Sequence, residues 1–216
     1  MADVAAGIQT RRILIDMARK RQRPGSGSAP ELLQGRTTRL RFPDLAPILS
    51  PIRWAVVGAA AARLYMAERM TDDLDILVRA QDIADVRNRL TRVGATHQGK
   101  LGIGRSSWIL ADGFPLDVIE CREEWAETAL AEAQVNRDAE GMPILPLQFL
   151  VLMKFLASRM QDLADIARML GQASEEQRAS VRAAFAQWLP AETEDLESLI
   201  VLGQMELQPT SPPESE

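Results

Sequence analysis

The sequence is poor in the two side chains most often used as nucleophiles, general bases and soft metal ligands. Cys121 is the one cysteine and His97 the one histidine among 216 residues. A single cysteine excludes an intramolecular disulfide, and zinc sites built from several cysteine and histidine ligands are excluded as well. A Ser-His-Asp or Cys-His arrangement would have to use His97, which lies in the polar segment THQGK with no nucleophile turn nearby. We therefore expect any chemistry to use carboxylates, lysine, arginine and backbone amides.

Long apolar runs are missing too. None reaches the roughly 18 residues that a membrane-spanning helix needs, and charges interrupt every apolar stretch near the N-terminus, unlike a signal peptide. The composition is 46% hydrophobic and 25% charged, which is typical of a globular protein. We expect a cytoplasmic protein with no membrane partner.

Lysine is scarce, and the basic residues are unevenly distributed. Residues 1–42 carry nine basic and three acidic side chains, so 9 − 3 gives +6, whereas residues 190–216 carry seven acids and no basic residue. A basic segment is suited to a polyanion such as RNA. The alternative, at least as well supported, is a solvated helix whose charge is balanced by the acidic segment.

Apolar runs and turn residues predict the order of the secondary structure. Strands are predicted at 54–58, 73–79, 107–111 and 114–119, with a shorter one at 39–42. Helices are predicted at 3–22, 59–68, 82–93, 123–133, 147–170, 174–188 and 192–203. Asp112-Gly113 predicts a hairpin between the last two strands, and Pro115 indicates a strand that starts late or lies at a sheet edge. The order favours an α+β fold, with a mixed β-sheet covered by helices and a helical C-terminal portion.

We divide the chain into four parts on this basis. A basic N-terminal helix and linker occupy 1–30, the mixed-sheet core 31–140, a helical C-terminal subdomain 141–205 and a disordered tail 206–216. The linker is predicted from RPGSGSAPE and the tail from QPTSPPESE, which are rich in turn-forming and polar residues.

The stretch TDDLDILV, residues 71–78, places acid at the start of a predicted strand, although strands are depleted in aspartate. Alternation directs Asp73 and Asp75 to the same face, about 7 Å apart, while Asp72 points elsewhere or lies in the turn. Two such carboxylates repel each other unless a cation lies between them. Mg²⁺ takes oxygen ligands from carboxylates and completes its shell with phosphate and water. The pattern predicts a divalent-metal site, and a solvated strand end is the alternative.

Three further features follow in chain order. Gly58-Ala59 ends the first strand, where a strand-to-helix turn lets backbone amides meet a phosphate; an ordinary junction is the alternative. Asp117 lies inside the apolar run PLDVIE, as a third carboxylate or as an edge-strand aspartate facing water. Lys154 lies in the apolar stretch FLVLMKFLASRM, where its charge needs a partner or an anion unless it snorkels to solvent. On one continuous helix Lys154, Ser158 and Asp162 would share a face, and Arg159 would pair with Asp162.

The order of these motifs resembles the nucleotidyltransferase superfamily, the fold of DNA polymerase β. That signature is a strand ending in Gly-Gly or Gly-Ser, a helix, a hydrophobic-Asp-hydrophobic-Asp run and a later strand with a third acid. The matching residues are Gly58-Ala59, Asp73-Leu74-Asp75 and Asp117.

Within the superfamily, the chain looks most like abortive-infection-type toxin nucleotidyltransferases and related small stand-alone domains. Two further stretches carry this resemblance: Arg69-Met70-Thr71-Asp72-Asp73-Leu74-Asp75, and Lys154 and Arg159 followed by Asp162-Leu163-Ala164-Asp165. The resemblance spans roughly 53–171. It departs from the family at Ala59, whose Cβ hinders a phosphate and which offers no hydroxyl.

The resemblance also implies ligands and roles. The implied metal ligands are Asp73, Asp75 and Asp117, holding two Mg²⁺ ions, with Mn²⁺ as a substitute. The implied catalytic residues are these three acids and Lys154, with Asp117 also accepting the proton of the attacking hydroxyl and Lys154 neutralising charge on the phosphates. The implied nucleotide-binding residues are Gly58, Ala59, Arg69, Thr71 and Lys154.

Two hypotheses of different classes follow. The first is a Mg²⁺-dependent nucleotidyltransferase that moves NMP from an NTP, such as ATP, to RNA, protein or a small molecule. The related toxins suggest a tRNA 3′ end or a protein hydroxyl as acceptor, with a cognate antitoxin or other partner protein, and the basic segment favours tRNA. The second is a non-catalytic binding or regulatory module of the same fold, which Ala59 favours. A third, an unrelated α+β domain with chance acids, requires that Asp73, Asp75 and Asp117 do not converge.

Overall fold

The computed structural model describes residues 2–21, 42–66, 73–100 and 104–207, with side chains from residue 9 onward. The chain divides into two compact units. One, here called the sheet unit, comprises Leu33–Pro146, and the other, the helical unit, comprises Met1–Leu32 and Leu147–Glu216. The N-terminal helix, which the sequence-based division set apart, is thus grouped with the C-terminal helices.

A five-stranded mixed sheet forms the centre of the sheet unit. Its strands are β1 (Ala55–Val57), β2 (Leu74–Arg79), β3 (Thr96–Lys100), β4 (Arg105–Ile109) and β5 (Pro115–Cys121). Their spatial order is β1-β2-β5-β4-β3, with β2 and β5 parallel and the other neighbours antiparallel. β1 is buried at its edge because residues 143–145 run beside it, and Val56 N donates to Pro143 O at 2.7 Å. The predicted α+β class, with a mixed sheet and a helical C-terminal portion, is confirmed.

Nine α-helices are formed by the described residues. They are α1 (Ala2–Arg21), α2 (Ala46–Leu49), α3 (Gly58–Ala62), α4 (Ile83–Arg92), α5 (Ala126–Ala133), α6 (Leu147–Ala157), α7 (Met160–Gln172), α8 (Glu175–Trp188) and α9 (Thr193–Leu207). α4 shows how its sequence directs one face inward, since Val86 and Leu90, four residues apart, are both fully buried. Among the described helices none is long and apolar enough to cross a membrane.

The hairpin predicted at Asp112-Gly113 joins β4 to β5 and is confirmed. The reading of Pro115 as an edge residue is wrong, because β5 lies between β2 and β4, although Pro115 does begin the strand. β3 was not predicted. Its residues are mostly exposed at the sheet edge, so it lacks the apolar alternation by which a half-buried strand is recognised.

The helical unit is built around the apolar helix α6, whose Phe155 packs edge-to-face on Phe185 of α8, with ring centroids 5.0 Å apart. α7 and α9 approach closely at two glycines. A Cβ added at Gly203 would lie 1.8 Å from Ala167 O, and one at Gly171 would lie 2.4 Å from Gly203 O. Only glycine allows this backbone contact between the two helices.

The prediction of one long helix over 147–170 is wrong, because the chain breaks between α6 and α7. Ser158 has φ +53° and Arg159 is extended, with ψ 150°. Ser158 Oγ donates to Phe155 O at 2.6 Å and so meets a carbonyl at the end of α6. Lys154, Ser158 and Asp162 therefore do not share the face of one continuous helix.

Other predicted elements have the expected type with shifted ends. The helix predicted at 59–68 begins one residue earlier and ends at Ala62. The predicted helices at 3–22, 82–93, 123–133, 174–188 and 192–203 correspond to α1, α4, α5, α8 and α9. The linker at 23–31, most of the strand at 39–42 and the tail from 208 onward lie outside the described residues.

Candidate active site

Three carboxylates converge at one end of the two parallel strands. Asp75 on β2 lies directly opposite Asp117 on β5, and Asp73 immediately precedes β2. One ligand oxygen from each of the three lies within 4.8 Å of the others. The parallel register brings Asp117 beside Asp75 although 41 residues lie between them in the sequence.

Burial differs among the three acids. Asp73 and Asp75 are more accessible than Asp117, which is buried, with 7% of its surface accessible. The alternative of an edge-strand Asp117 facing water is therefore wrong. Burying a carboxylate costs free energy unless a cation or hydrogen-bond donors compensate it, so the position of Asp117 in a central strand calls for a charged partner.

The turn after β1 is shaped around Asp75. Val57 pairs with Asp75 across the sheet, and the next residue, Gly58, has φ +64°, a conformation that side-chain-bearing residues rarely adopt. A Cβ at Gly58 would lie 2.0 Å from Asp75 Oδ2 and 2.8 Å from its Cγ. The glycine is thus required twice, by its backbone conformation and by its contact with a candidate metal ligand.

Arg105 is a site residue that the sequence analysis missed. It begins β4, two residues before Ser107, which lies opposite Asp117. Because side chains alternate along a strand, Arg105 lies on the same face as Ser107. Its Nη2 donates to Asp75 Oδ1 at 2.8 Å and to Asp117 Oδ2 at 2.6 Å. Counting the hairpin register back from Asp112-Gly113 could have found it.

Lys154 lies in the helical unit and has carboxylate partners there. It is 6% exposed, and its Nζ lies 2.8 Å from Asp165 Oδ2 and 3.6 Å from Asp162 Oδ1. The prediction that its charge needs a partner is confirmed, and the snorkelling alternative is wrong. Arg159 also contacts Asp162, at 2.6 Å, as predicted for residues three apart.

The remaining predicted residues are only partly described. Ala59 follows Gly58 within α3. Arg69, Thr71 and Asp72 lie outside the described residues, so their proposed roles stay predictions.

The donor set is suited to a hard divalent cation. Three carboxylates offer oxygen atoms close enough to share one ion, and oxygen ligands are those that Mg²⁺ prefers. Arg105 is a cation already in contact with two of the three. The acids fit Mg²⁺ or Mn²⁺. An ion between Asp75 and Asp117 would be repelled by this guanidinium and would compete with it for the same carboxylates.

Comparisons with solved structures return proteins of low similarity. LnuA, a lincosamide antibiotic adenylyltransferase in a lincomycin-bound structure, is 18% identical, with 32% of this chain and 45% of that chain covered and a TM-score of 0.28. This chain thus spans less than half of LnuA. ANT(2″)-Ia in complex with adenylyl-2″-tobramycin is 18% identical, with 69% and 87% covered and a TM-score of 0.37. A solution structure of the antibiotic-resistance factor ANT(2″)-Ia is 19% identical, with 68% and 80% covered and a TM-score of 0.37.

No protein-family model matches the chain, and no curated protein matches it either. TM-scores of 0.28 to 0.37 give no support to an activity or an acceptor. A functional assignment therefore depends on the carboxylates and the glycine turn of this chain.

Proposed function

We propose that this chain is a Mg²⁺-dependent nucleotidyltransferase that moves NMP from an NTP to an acceptor hydroxyl. The observation that carries the proposal is the convergence of Asp73, Asp75 and Asp117 within 4.8 Å. Their order in the chain, after a strand that ends at Gly58, is the order that the superfamily signature requires. The third hypothesis, an unrelated domain with chance acids, required that these acids stay apart and is dropped.

Each site residue has a proposed role. Asp73, Asp75 and Asp117 would hold the metal, which when bound neutralises phosphate charge and orients the attacking and leaving oxygens. Asp117, the most buried of the three, would also accept the proton of the acceptor hydroxyl. Gly58 contacts Asp75, so a phosphate near the metal ligands would meet the backbone of Gly58 and Ala59.

The roles of three further residues are carried by the resemblance alone. Arg69 and Thr71 would contact phosphate. Lys154 would neutralise phosphate charge, but Asp162 and Asp165 already account for its burial as a charged group. Lys154 is therefore the member of the proposed machinery whose role most needs a direct test.

The acceptor stays open among RNA such as tRNA, a protein and a small molecule. The case for tRNA came from the resemblance to the toxins and from the basic N-terminal segment. In the described part of that segment Arg11 contacts Glu192 and Asp195, and Arg19 contacts Ser198. The two contacts of Arg11 with acids support the alternative in which the acidic C-terminal segment balances the charge. A toxin role with a cognate antitoxin is proposed only from the resemblance.

A non-catalytic module of the same fold is the second candidate. Two observations favour it: Ala59 stands where the superfamily has glycine or serine, and Arg105 contacts two of the three acids. Such a module would bind nucleotide or a partner without transferring NMP.

The test is transfer of label from each NTP, labelled on the α-phosphate, in the presence of Mg²⁺ and of RNA, protein or aminoglycoside acceptors in separate reactions. Asp73→Ala and Asp75→Ala should abolish transfer. Asp85→Asn is the matched control, because Asp85 is an exposed acid on α4 of the same unit, and it should transfer like the wild type.

Label incorporated equally by Asp75→Ala and the wild type would show that the acids are not the catalytic centre. Mg²⁺-dependent NTP binding without any transfer would favour the non-catalytic module. If neither binding nor transfer is found with any NTP, the proposed function is wrong.

A further inference from the structure

Arg105 contacts two of the proposed metal ligands, and none of the proposed roles includes it. We infer that Arg105 competes with a divalent cation for Asp75 and Asp117, and thereby sets the affinity of this site for metal. The inference rests on the proposed function, because it requires these carboxylates to be metal ligands.

The contact geometry places one nitrogen between two carboxylates. Nη2 of Arg105 lies 2.8 Å from Asp75 Oδ1 and 2.6 Å from Asp117 Oδ2. Mg²⁺ binds carboxylate oxygens at about 2.0–2.1 Å, so an ion joining the same two oxygens would need the space that Nη2 occupies. The guanidinium carries a permanent positive charge and repels such an ion. The ion and the guanidinium therefore exclude each other from the gap between Asp75 and Asp117.

The guanidinium is held in a way that permits its release. Its Nε is buried and has no hydrogen-bond partner among the residues that the structure describes, which is an unfavourable position for a donor. The Arg105 side chain is 30% exposed, against 10% for that of Asp117. A displaced guanidinium can thus reach water directly, and its Nε gains a partner there.

Release leaves a cation beside the site. Arg105 begins β4 on the sheet face that carries Asp117, so after displacement its guanidinium stays within a side-chain length of any ligand bound there. Guanidinium groups pair with phosphate in charge-assisted hydrogen bonds. A nucleotide that arrives with its metal offers Arg105 a new anionic partner in exchange for the two aspartates. Arg105 is in this sense a positioning residue, which acts on the reaction through Asp75 and Asp117.

The direct test is the affinity for Mn²⁺ alone, measured by electron paramagnetic resonance on full-length protein that has been treated with a chelator and dialysed. Arg105→Met should bind Mn²⁺ roughly tenfold to a hundredfold more tightly than the wild type, the factor expected when a competing cation that shares one donor nitrogen between two carboxylates is removed. If Arg105 has only a structural role, Arg105→Met should bind Mn²⁺ with unchanged or lower affinity.

Arg87→Met is the matched control. Arg87 also lies in the sheet unit, pairs with one carboxylate, Glu120, at 2.7 Å, and has a buried Nε without a partner among the described residues. Its removal should leave the Mn²⁺ affinity unchanged. Equal tightening in both variants would mean that net charge alone is responsible and would overturn the inference.

A measurement on the wild type covers the case in which Arg105→Met does not fold. Phenylglyoxal modifies accessible arginines, and mass spectrometry of the digest assigns the modified sites. Mn²⁺ should increase modification of Arg105 several-fold relative to Arg87, because the ion displaces only the former. Unchanged or reduced modification of Arg105 at saturating Mn²⁺ would overturn the inference.

The outcomes separate this inference from the proposed function. Wild-type Mn²⁺ binding that is lost in Asp117→Asn, but not tightened in Arg105→Met, would refute the competition and leave the metal site standing. If neither the wild type nor Arg105→Met binds Mn²⁺, even with NTP present, the proposed function fails and the inference fails with it.

Discussion

Two arginines in the two units hold carboxylates in opposite ways. In the helical unit Arg11 uses three nitrogens for three partners: Nη2 for Glu192 at 2.6 Å, Nε for Asp195 at 3.3 Å and Nη1 for Ser158 at 3.0 Å. In the sheet unit one nitrogen of Arg105 serves two aspartates, and its Nε has no partner among the described residues.

The difference distinguishes a structural ion cluster around Arg11 from the proposed metal-binding cluster beside Arg105. Arg11 is 6% exposed and also lies 4.0 Å from the centre of the Phe155 ring, so its charge is satisfied on every side. Arg105 is more exposed and shares one donor between two acids. Carboxylates grouped around a fully engaged cation stabilise a packing arrangement, whereas carboxylates that converge with one another are suited to bind something else.

The largest effect is expected from Arg11→Met. It leaves Glu192 and Asp195 buried without their main cation, which should lower the free energy of unfolding by about 3–5 kcal/mol. Arg12→Met is the control, because Arg12 is 52% exposed and lies 3.7 Å from Asp195, and exposed pairs contribute about 1 kcal/mol or less. Urea denaturation of both variants measures the difference, and equal losses would break the comparison.

The penalty in Arg11→Met should also depend on pH. Burial raises the pKa of Asp195, and the contact with Arg11 offsets this only in part. A raised carboxyl pKa favours folding at low pH, and that contribution is lost as pH rises through the folded-state pKa. Without Arg11 the pKa of Asp195 should rise further, so the loss of stability should be smaller at pH 4.5 than at pH 7. A larger loss at the lower pH would contradict this.

Lys154→Met should lower the free energy of unfolding by about 3 kcal/mol. The loss should not exceed that in Arg11→Met, because Asp162 keeps Arg159 as a partner and Asp165 keeps Gln161. The double variant Lys154→Met/Asp165→Asn removes both charges and should recover much of this stability. Thermal unfolding and nucleotidyl transfer are measured on both variants.

The double variant decides between two roles of the lysine. If Lys154 acts on phosphate as proposed, stability returns and transfer does not. If transfer recovers together with stability, Lys154 has a structural role, like Arg11, and does not act on phosphate.

Gly58→Ala tests the turn beside Asp75. Gly113→Ala is its matched control, because Gly113 has φ +88° and no atom within 4 Å of an added Cβ, so it should cost about 1–2 kcal/mol from backbone conformation alone. Gly58→Ala adds the clash with Asp75 and should cost about 1–3 kcal/mol more. It should also weaken Mn²⁺ binding, which Gly113→Ala should not. Mn²⁺ affinity unchanged in Gly58→Ala would mean that Asp75 does not depend on this contact.

The smallest effect concerns Cys121, an uncharged group at the end of the strand that carries Asp117. Burial raises the pKa of this thiol from 9.0 to about 11. Because the folded-state pKa is the higher one, its contribution to stability is complete below about pH 9 and is lost as pH rises through about 11. Iodoacetamide at pH 8 should therefore modify Cys121 slowly in the folded protein and quickly in urea. Equal rates would contradict the burial, and Cys121→Ser should remove this part of the alkaline loss of stability.

Secondary structure was predicted correctly where the segment itself carries an apolar run or a turn-forming pair of residues. β1 and β2 are apolar runs, and Asp112-Gly113 specifies a hairpin by its turn chemistry. β3 was not predicted, because an exposed edge strand needs no alternation of apolar and polar residues. The long helix at 147–170 was overpredicted, because the residues around Ser158 are compatible with a helix, and the contacts of Ser158 with Arg11 and Phe155 accompany the break.

The expectation about charge repulsion also changes. Treated as an isolated pair, Asp73 and Asp75 should repel, and replacing either with asparagine should relieve the fold. Arg105 attracts Asp75, so Asp75→Asn also loses a charge-assisted hydrogen bond, and the relief is offset. No local sequence pattern indicates this contact, because Arg105 reaches Asp75 only through the pairing of three strands.

The sequence by itself determined which residue types are available and in what order: acids in alternation at the start of a strand, a glycine before a helix and a lysine in an apolar run. Alternation and apolar periodicity are local properties, so they can be read without a fold. The tertiary structure alone decided that Asp117 lies opposite Asp75, that Gly58 touches that carboxylate and that Arg105 bridges the two acids. The contacting residues are far apart in the sequence: Arg105 and Asp117 are 12 positions apart, and Asp75 and Asp117 are 42 positions apart. These contacts exist because parallel and antiparallel pairing fixes a register that no single segment contains.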